Sequence, residues 1–134
     1  MTYDEARAAI ESLFAGAWSA TAVAYQNVAF APPDDPAPGV RLSIENRGPG
    51  QAAFGGTPRR FRCSGAVLVE IRLPPGAGTA AAYRLAGAVS ALFAAAVVPG
   101  LSFEAAGIRP APDADDDATF AMRVEVPFWH DDFR

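Results

Sequence analysis

Three aspartates near the end of the chain have the spacing of a calcium-binding loop. Asp113, Asp115 and Asp117 would occupy positions 1, 3 and 5 of that loop, which supply carboxylate ligands. Position 6 needs glycine for a sharp turn and is Ala118, and position 12 needs a bidentate glutamate and is Val124. We therefore interpret the segment as a solvated acidic turn, and we expect the protein to require no metal ion.

A glycine-rich turn before a predicted helix has residue types that can hold phosphate through backbone N–H groups and the helix dipole. It contains Gly76, Gly78 and Thr79, but no lysine follows, and the glycine spacing fits neither nucleotide-binding fingerprint. The net charge of −4 at pH 7 also makes the chain a poor collector of phosphate. We interpret the segment as a tight turn and expect no cofactor.

The chain contains one histidine, His130, and one cysteine, Cys63. His130 with the neighbouring Asp131 or Asp132 could form a general base, yet no serine or second histidine is fixed near it. Cys63 alternates with apolar residues on its predicted strand, which indicates a small buried thiol. We therefore expect no catalytic activity, and a single cysteine excludes an internal disulfide framework.

Arg59, Arg60 and Arg62 form the only basic cluster in the sequence. The cluster is either a solvated strand edge or a surface that docks carboxylates of another protein through guanidinium pairs, and both interpretations stay open. If it serves assembly, its partners would be carboxylates on a neighbouring subunit or another assembly component. The candidate assembly contacts are Phe54, Arg59, Arg60, Arg62, Trp129 and His130.

Length and composition limit the classes of protein to which the chain can belong. A chain of 134 residues has room for one domain, and 51% apolar with 19% charged residues is typical of a packed core. The net charge of −4 argues against a protein whose main function is to bind nucleic acid. The longest apolar run, Leu85 to Val98, is shorter than the roughly 20 residues of a membrane span, and no signal peptide is visible. We expect a soluble intracellular product with no membrane contact.

Two helices are predicted from apolar residues at the 3.6-residue period. Thr2 and Glu5 have the spacing of a capping box, so the first helix begins there. Thr79 can cap the second helix, which Pro99 and Gly100 end. The apolar stripes are Ala6, Ile10, Leu13, Phe14, Ala17 and Trp18 in the first helix, and Leu85, Val89, Leu92, Phe93 and Val97 in the second.

Alternation of apolar and polar residues predicts the strands. They lie at Val23 to Phe30, Val40 to Ile44, Phe61 to Leu73, Leu101 to Ile108 and Phe120 to Phe128, with Gly65 as a bulge or bend in the longest. The glycine-rich segment from Asn46 to Pro58 is predicted to be a long hairpin arm. The order α-β-β-β-α-β-β predicts one α+β domain over residues 1–134, with two layers, a mainly antiparallel sheet and both helices on one sheet face.

With this order of elements, the chain resembles the lambda-type phage tail terminators, whose relatives also occur in prophages and gene transfer agents. Four features carry the resemblance over nearly the whole chain: the amphipathic N-terminal helix, the long strand Arg60 to Ile71, the turn Pro74 to Gly78 into a second helix, and the closing segment Val124 to Trp129. The resemblance implies a homohexameric ring that seals the head-proximal end of the tail tube, halts its polymerisation and offers a surface to the neck.

The resemblance also implies the partners and the location. The partners would be further copies of the chain, the tail tube protein and a head-closure or neck protein, with DNA passing through the lumen without sequence-specific binding. The protein would be assembled in the bacterial host cytoplasm and would end in the tail–neck region of the virion. An acidic lining would repel DNA in transit, and ring packing would cover the apolar arm around Phe54.

Two other classes stay open. A head-closure or neck connector of the same particle would share the assembly chemistry, and binding to tube ends discriminates it from a terminator. A small α+β enzyme or ligand-binding domain would need convergent polar groups in a pocket, and the sequence shows none.

Overall fold

The computed structural model describes residues 1–26, 38–51, 55–74, 76, 79–111 and 120–133. The two helices are α1 (Tyr3–Ala17) and α2 (Ala80–Ala95), and the strands are β1 (Ala22–Tyr25), β2 (Gly39–Gln51), β3 (Arg60–Leu73), β4 (Ser102–Phe103), β5 (Gly107–Pro110) and β6 (Phe120–Phe133). The predicted α+β class and the order of elements are confirmed. The single strand predicted from Leu101 to Ile108 is divided into the short strands β4 and β5.

The strands form one six-stranded sheet in the order β1-β2-β3-β6-β4, and β5 also pairs with β6. Strand β1 runs parallel to β2, whereas the other described pairs are antiparallel. Every residue of β3 lies opposite a residue of β6, from Arg60 opposite Phe133 to Leu73 opposite Phe120. The sheet is therefore organised around two long central strands.

Helix α1 begins at the predicted capping box. The Glu5 backbone N–H donates to the Thr2 hydroxyl at 3.1 Å, and the Thr2 N–H donates to the Glu5 carboxylate at 2.7 Å. Ala6, Ile10 and Phe14 are buried on one face of the helix. The Phe14 ring lies between Trp18, at 5.3 Å, and Phe93 of α2, at 6.1 Å between ring centroids. The two helices therefore share one core.

Helix α2 follows Thr79 as predicted, although the Thr79 side chain makes no capping hydrogen bond. The helix ends at Ala95, so Val97 lies beyond it with 91% of its surface exposed, and its predicted place in the apolar stripe is wrong. The buried positions are Ala82, Ala86, Val89 and Phe93. Ala82 and Ala86 are fully buried, and their short side chains allow the helix backbone to lie near the sheet.

Alternation along the strands separates two faces of the sheet. One face packs on both helices, and its core residues include Leu42, Val67, Val69, Val124 and Val126. Cys63 is buried on this same side, as its alternation predicted. No helix of the described residues covers the opposite face, on which most side chains are charged.

Gly65 lies where two neighbouring strands approach β3 most closely. A Cβ atom at this position would stand 2.3 Å from the backbone oxygen of Glu45 in β2 and 2.9 Å from the Phe128 ring in β6. The predicted bulge lies in the partner strand instead: the β2–β3 register shifts between Asn46 and Pro49, where Gly48 has a φ of +89°. Glycine is needed in β3 because no side chain fits there, and in β2 because the bulge needs a left-handed residue.

We expect Gly65→Ala to lower the free energy of unfolding by at least about 2 kcal/mol, because the backbone of β2 must move to admit the methyl group. The control is Gly87→Ala on α2, where an added Cβ meets no atom within 4 Å. The control substitution should raise stability by about 0.5 to 1 kcal/mol, since glycine is a poor residue in a helix. Urea unfolding followed by circular dichroism measures both, and equal stability of the two variants would contradict the role given to Gly65.

Candidate functional site

The helix-free sheet face carries most of the basic residues of the protein. Strand register, alternation and the groove over this face place on it seven of the eleven arginines and five carboxylates, and we name this set the arginine face. Its formal charge is therefore +2, while the whole chain has −4, so the residues outside it carry −6. The members are Arg41, Arg47, Arg60, Arg62, Arg72, Arg109 and Arg123 with Glu45, Glu70, Glu104, Glu125 and Asp131.

Asp131 joins the central strands at one end of this face. Arg62 lies directly opposite it and donates from Nε and Nη2 to its two carboxylate oxygens, at 3.0 and 3.2 Å. Arg60 Nε lies 4.0 Å from the same carboxylate. The Arg62 guanidinium also stacks on Trp129, with its carbon 3.8 Å from the ring centroid. These hydrogen bonds to Arg62, helped by its charge, hold the pKa of Asp131 below its usual range.

Glu125 sits at the middle of the face between arginines from two other strands. Arg47 of β2 donates to one of its oxygens and Arg109 of β5 to the other, the second at 3.1 Å. Arg47 also lies 3.4 Å from Glu45 on its own strand. The hydrogen bond from Arg47 is the main cause of a lowered Glu125 pKa, and the nearby guanidinium charges add to it.

Glu70 repeats the arrangement at the other end of the central strands. Arg72 Nη2 lies 2.6 Å from one carboxylate oxygen, and Arg123, which is opposite Glu70 on β6, lies 4.0 Å from the other. Three carboxylates of the arginine face are thus each placed between two arginines. Glu45 beside Arg47 balances the group around Glu125, whereas Arg72 and Arg123 share the single charge of Glu70.

The structure brings together some of the predicted contact residues and separates others. Arg60, Arg62 and Trp129 lie together on the arginine face. Both Arg60 and Arg62 form ion pairs with Asp131 of the same chain, which sequence reasoning missed because Arg62 and Asp131 are 69 positions apart. Arg59 is exposed beside the face and donates to the backbone oxygen of Gly55 at 3.2 Å. Phe54 lies outside the described residues.

His130 occupies the opposite side of β6 and is fully buried. Its Nδ1 donates to the Met1 carbonyl oxygen at 3.0 Å, and its ring meets Tyr3 edge-on with 5.7 Å between centroids. The Met1 nitrogen donates in turn to the Asp131 backbone oxygen at 2.9 Å. His130 therefore docks the end of β6 against the start of the chain, and its buried side chain presents no surface to a neighbour. Val126 and Phe128 are buried at alternate positions of β6, and His130 continues that alternation. This pattern could have predicted that His130 is buried.

A shallow groove of about 680 Å³ runs over the arginine face at the bulge, between Arg47 on one side and Arg62 with Trp129 on the other. Arginine and tryptophan are the side chains most often found at energetic centres of protein interfaces. Within the described ranges, no cluster of three or more His, Cys, Asp and Glu residues could hold a metal ion, and Asp113, Asp115 and Asp117 lie outside those ranges. Among the described helices, none is long and apolar enough to cross a membrane.

A family model described as "Phage tail terminator protein" matches residues 5–126. The chain belongs to this family. One solved structure is 25% identical to this chain, with a TM-score of 0.69, over 97% of this chain and 96% of that chain. No curated protein sequence matches significantly. The resemblance stated from the sequence is thereby confirmed, and the protein is a structural component of phage tails whose family is not a class of enzymes.

The lowered pKa values of Asp131 and Glu125 predict how the stability of this tail terminator depends on pH. Carboxyl groups with lowered pKa in the folded state stabilise it above their unfolded values of about 4, and this contribution disappears as the pH falls through the folded values. Asp131→Asn should therefore lower the free energy of unfolding at pH 7 by about 1 kcal/mol or less, with little difference from wild type near pH 2.5.

Urea unfolding at a series of pH values measures this effect. Glu104→Gln is the control, because it removes an exposed carboxylate without touching the ion pairs of the arginine face. A constant difference between Asp131→Asn and wild type from pH 7 to pH 2.5 would show that the substitution acts through packing rather than through the charge of Asp131.

Proposed function

We propose that this tail terminator forms a ring that closes the head-proximal end of the tail tube, stops tube polymerisation and offers the surface to which the neck joins. The observation that carries the proposal is the unequal distribution of charge, +2 on the arginine face against −6 in the rest of the sequence. A ring is built from head-to-tail contacts, and these need two different, complementary surfaces on each copy. Membership of the family supports the same role.

The open edge of β2 helps to define which kind of contact the ring uses. Strand β1 pairs only with Gly39 to Leu42, so the rest of β2 has no described strand on that side. This part contains Glu45, Arg47, Pro49 and the bulge, which are the features that prevent another strand from adding to an edge. The contacts between copies are therefore made by side chains on faces and on the arm, rather than by extending the sheet.

The hairpin arm is the second contact element that we propose. Pairing of β2 with β3 continues past the bulge to Gln51 opposite Phe61, so the first part of the predicted arm extends the sheet. Phe54 of this arm and Arg59, which directly follows it, contact the tube or the next copy. The protein acts by assembly alone, with tube protein, neck protein and further copies as partners, and its place is the tail–neck region of the virion.

Electron microscopy of purified protein mixed with tail tubes tests the proposal. We expect rings at one end of each tube and tubes of uniform length when the protein is present during polymerisation. Binding of rings to the neck or the head, with tube ends left bare, would contradict capping and favour a connector role. Rings that bind neither component would contradict both roles.

The arm can be tested with one substitution and a matched control. Phe54→Ser should weaken attachment to tube ends by about tenfold or more, because burying a Phe side chain contributes roughly 1.5 to 3 kcal/mol. Tyr83→Ser on α2 removes an aromatic side chain that is 58% exposed and lies away from the arm, so it should attach normally. Uniform tubes assembled with Phe54→Ser would remove the arm from the mechanism.

A further inference from the structure

One row of charged side chains crosses four neighbouring strands on the arginine face. Arg41 of β2 lies opposite Glu70 of β3, and Glu70 lies opposite Arg123 of β6. On the far side of β6, Arg109 of β5 lies opposite Arg123. Arg72 follows Glu70 by two positions, so it lies on the same face, and its Nη2 is 2.6 Å from the Glu70 carboxylate. We name Arg41, Arg72 and Arg123 with Glu70 the Glu70 cluster, in which three arginines and one carboxylate give a formal charge of +2.

Two guanidinium groups of this cluster have few partners among the described residues. Arg41 is exposed and makes neither an ion pair nor a hydrogen bond with any of them. Arg123 is 21% exposed, and the one ion pair that it makes there joins Nη2 to Glu70 at 4.0 Å, beyond hydrogen-bond distance. The Arg123 Nε is buried without a hydrogen-bond partner. Each guanidinium has five N–H donors, so both arginines keep donors for a partner from outside.

The arginines of the face outside this cluster are balanced by carboxylates. Arg62 donates twice to Asp131. Arg47 and Arg109 donate to the two oxygens of Glu125. Four arginines and four carboxylates make up this part of the face, so its formal charge is zero. The surplus of +2 on the arginine face therefore lies in the Glu70 cluster.

We propose that the Glu70 cluster binds an acidic segment of a different protein, whose carboxylates pair with Arg41 and Arg123. Adjacent strands are about 4.8 Å apart, so these two arginines, which lie two strands apart, offer donors separated by about 10 Å. Carboxylates seven positions apart on a helix have about the same separation, because the rise is about 1.5 Å per residue. Guanidinium–carboxylate pairs of this kind can be bidentate, which adds orientation to the charge attraction. The inference goes beyond the proposed function, since one copy of the chain holds the whole site.

A second copy of this chain is a poorer occupant. Outside the arginine face, every described carboxylate already has a partner within its own chain. Arg7 binds two of them at 2.8 and 2.7 Å, the Thr2 backbone N–H binds a third, and the fourth is also in contact. These four are Asp4, Glu11, Glu5 and Asp132. The described surface outside the face therefore offers a neighbouring copy no unpaired carboxylate.

A nucleic acid also fits the cluster less well than an acidic protein segment does. The net charge of −4 repels a polyanion at long range. Glu125 lies two residues from Arg123, and Glu45 lies four residues from Arg41, so both are within about 14 Å along the strands. The phosphate backbone of a duplex continues over such distances and would meet these carboxylates, whereas a short acidic segment ends before them.

Two double variants test whether the cluster binds the acidic segment. The cluster variant is Arg41→Gln with Arg72→Gln, in which Glu70 keeps Arg123. The control variant is Arg7→Gln with Arg84→Gln, which changes only the helices. Each variant loses two positive charges, so both have a net charge of −6 instead of −4. A difference between them therefore reports the position of the arginines and not the total charge.

A second pair of variants predicts the opposite effect. Glu70→Gln removes the carboxylate at the centre of the cluster and raises its formal charge from +2 to +3. Glu104→Gln makes the same change in net charge beside Trp129, at the groove of the same face. We expect Glu70→Gln to bind an acidic segment more tightly than Glu104→Gln does, because the partner then meets no negative charge between the arginines.

Fluorescence anisotropy measures the binding of a labelled helical peptide with glutamates at positions i, i+3 and i+7, and of the same peptide with glutamines there. We expect wild type to bind the glutamate peptide alone, the cluster variant to bind it at least about fivefold more weakly, and the control variant to stay within about twofold of wild type. Salt at about 500 mM should weaken the binding, because it screens the attraction. Circular dichroism checks that each variant is folded. If the cluster variant unfolds, Arg41→Gln with Arg84→Gln as its control takes its place, since Arg41 makes no described contact.

Several outcomes would overturn the inference. They are a wild type that does not bind the glutamate peptide, equal binding of the two peptides, and equal binding by the cluster and control variants. A short DNA duplex or inorganic phosphate that binds more tightly than the peptide, and is lost in the cluster variant, would assign the site to phosphate instead. Sedimentation would assign it to a second copy if the cluster variant lost a self-association that the control variant keeps.

The same measurements separate this inference from the proposed function. Rings that cap tail tubes, formed by a protein whose cluster and control variants bind the peptide equally, would overturn the inference and leave the proposed function standing. Peptide binding that depends on the cluster as expected, in a protein that forms no ring or leaves tube ends bare, would contradict only the proposed function.

Discussion

The pairing register of β3 is the constraint on which the rest of the structure depends. Each residue of this strand lies opposite a residue of β6, and a shift by one position would exchange the two faces of the sheet. Val67 and Val69 would then leave the core, and Arg62 would enter it. Gly65 resists such a shift, because β2 and Phe128 approach its backbone to distances that no other residue permits. The absence of a side chain at Gly65 thus allows both neighbouring strands to pack closely on β3 in this register.

The same register allows a charged face to exist on a sheet with no helix above it. Ala66 lies on this face at the centre of the sheet and is nevertheless fully buried. Its neighbours across the strands are Glu45 and Pro127. Side chains on this face therefore exclude water from the centre of the sheet, while Arg47, Arg72 and Arg109 remain partly exposed.

Local signals in the sequence predicted the local structure well. The capping box at Thr2 and the alternation of β3 and β6 depend on residues a few positions apart, and both were confirmed. The parallel pairing of β1 with β2 and the contacts of Asp131 with Arg60 and Arg62 join distant parts of the chain, and no pattern within one segment specifies them. Val97 was placed in the helix because it is apolar at the right spacing, whereas the helix ends at Ala95, four residues before Pro99. Periodicity predicted which face of each helix and strand is buried, but not which elements pair with each other.

The ion pairs of the arginine face are difficult to explain as a device for folding. Exposed pairs of this kind contribute about 0 to 1 kcal/mol each, and two arginines beside one carboxylate also repel each other. A monomer selected for stability alone would gain more from equal numbers of opposite charges. Further negative charge arriving at this face would pair with the excess guanidinium groups, while the sheet, with its register fixed at Gly65, keeps the arginines in position beforehand. The assembly role proposed above accounts for this arrangement, whereas the stability of a single chain does not require it.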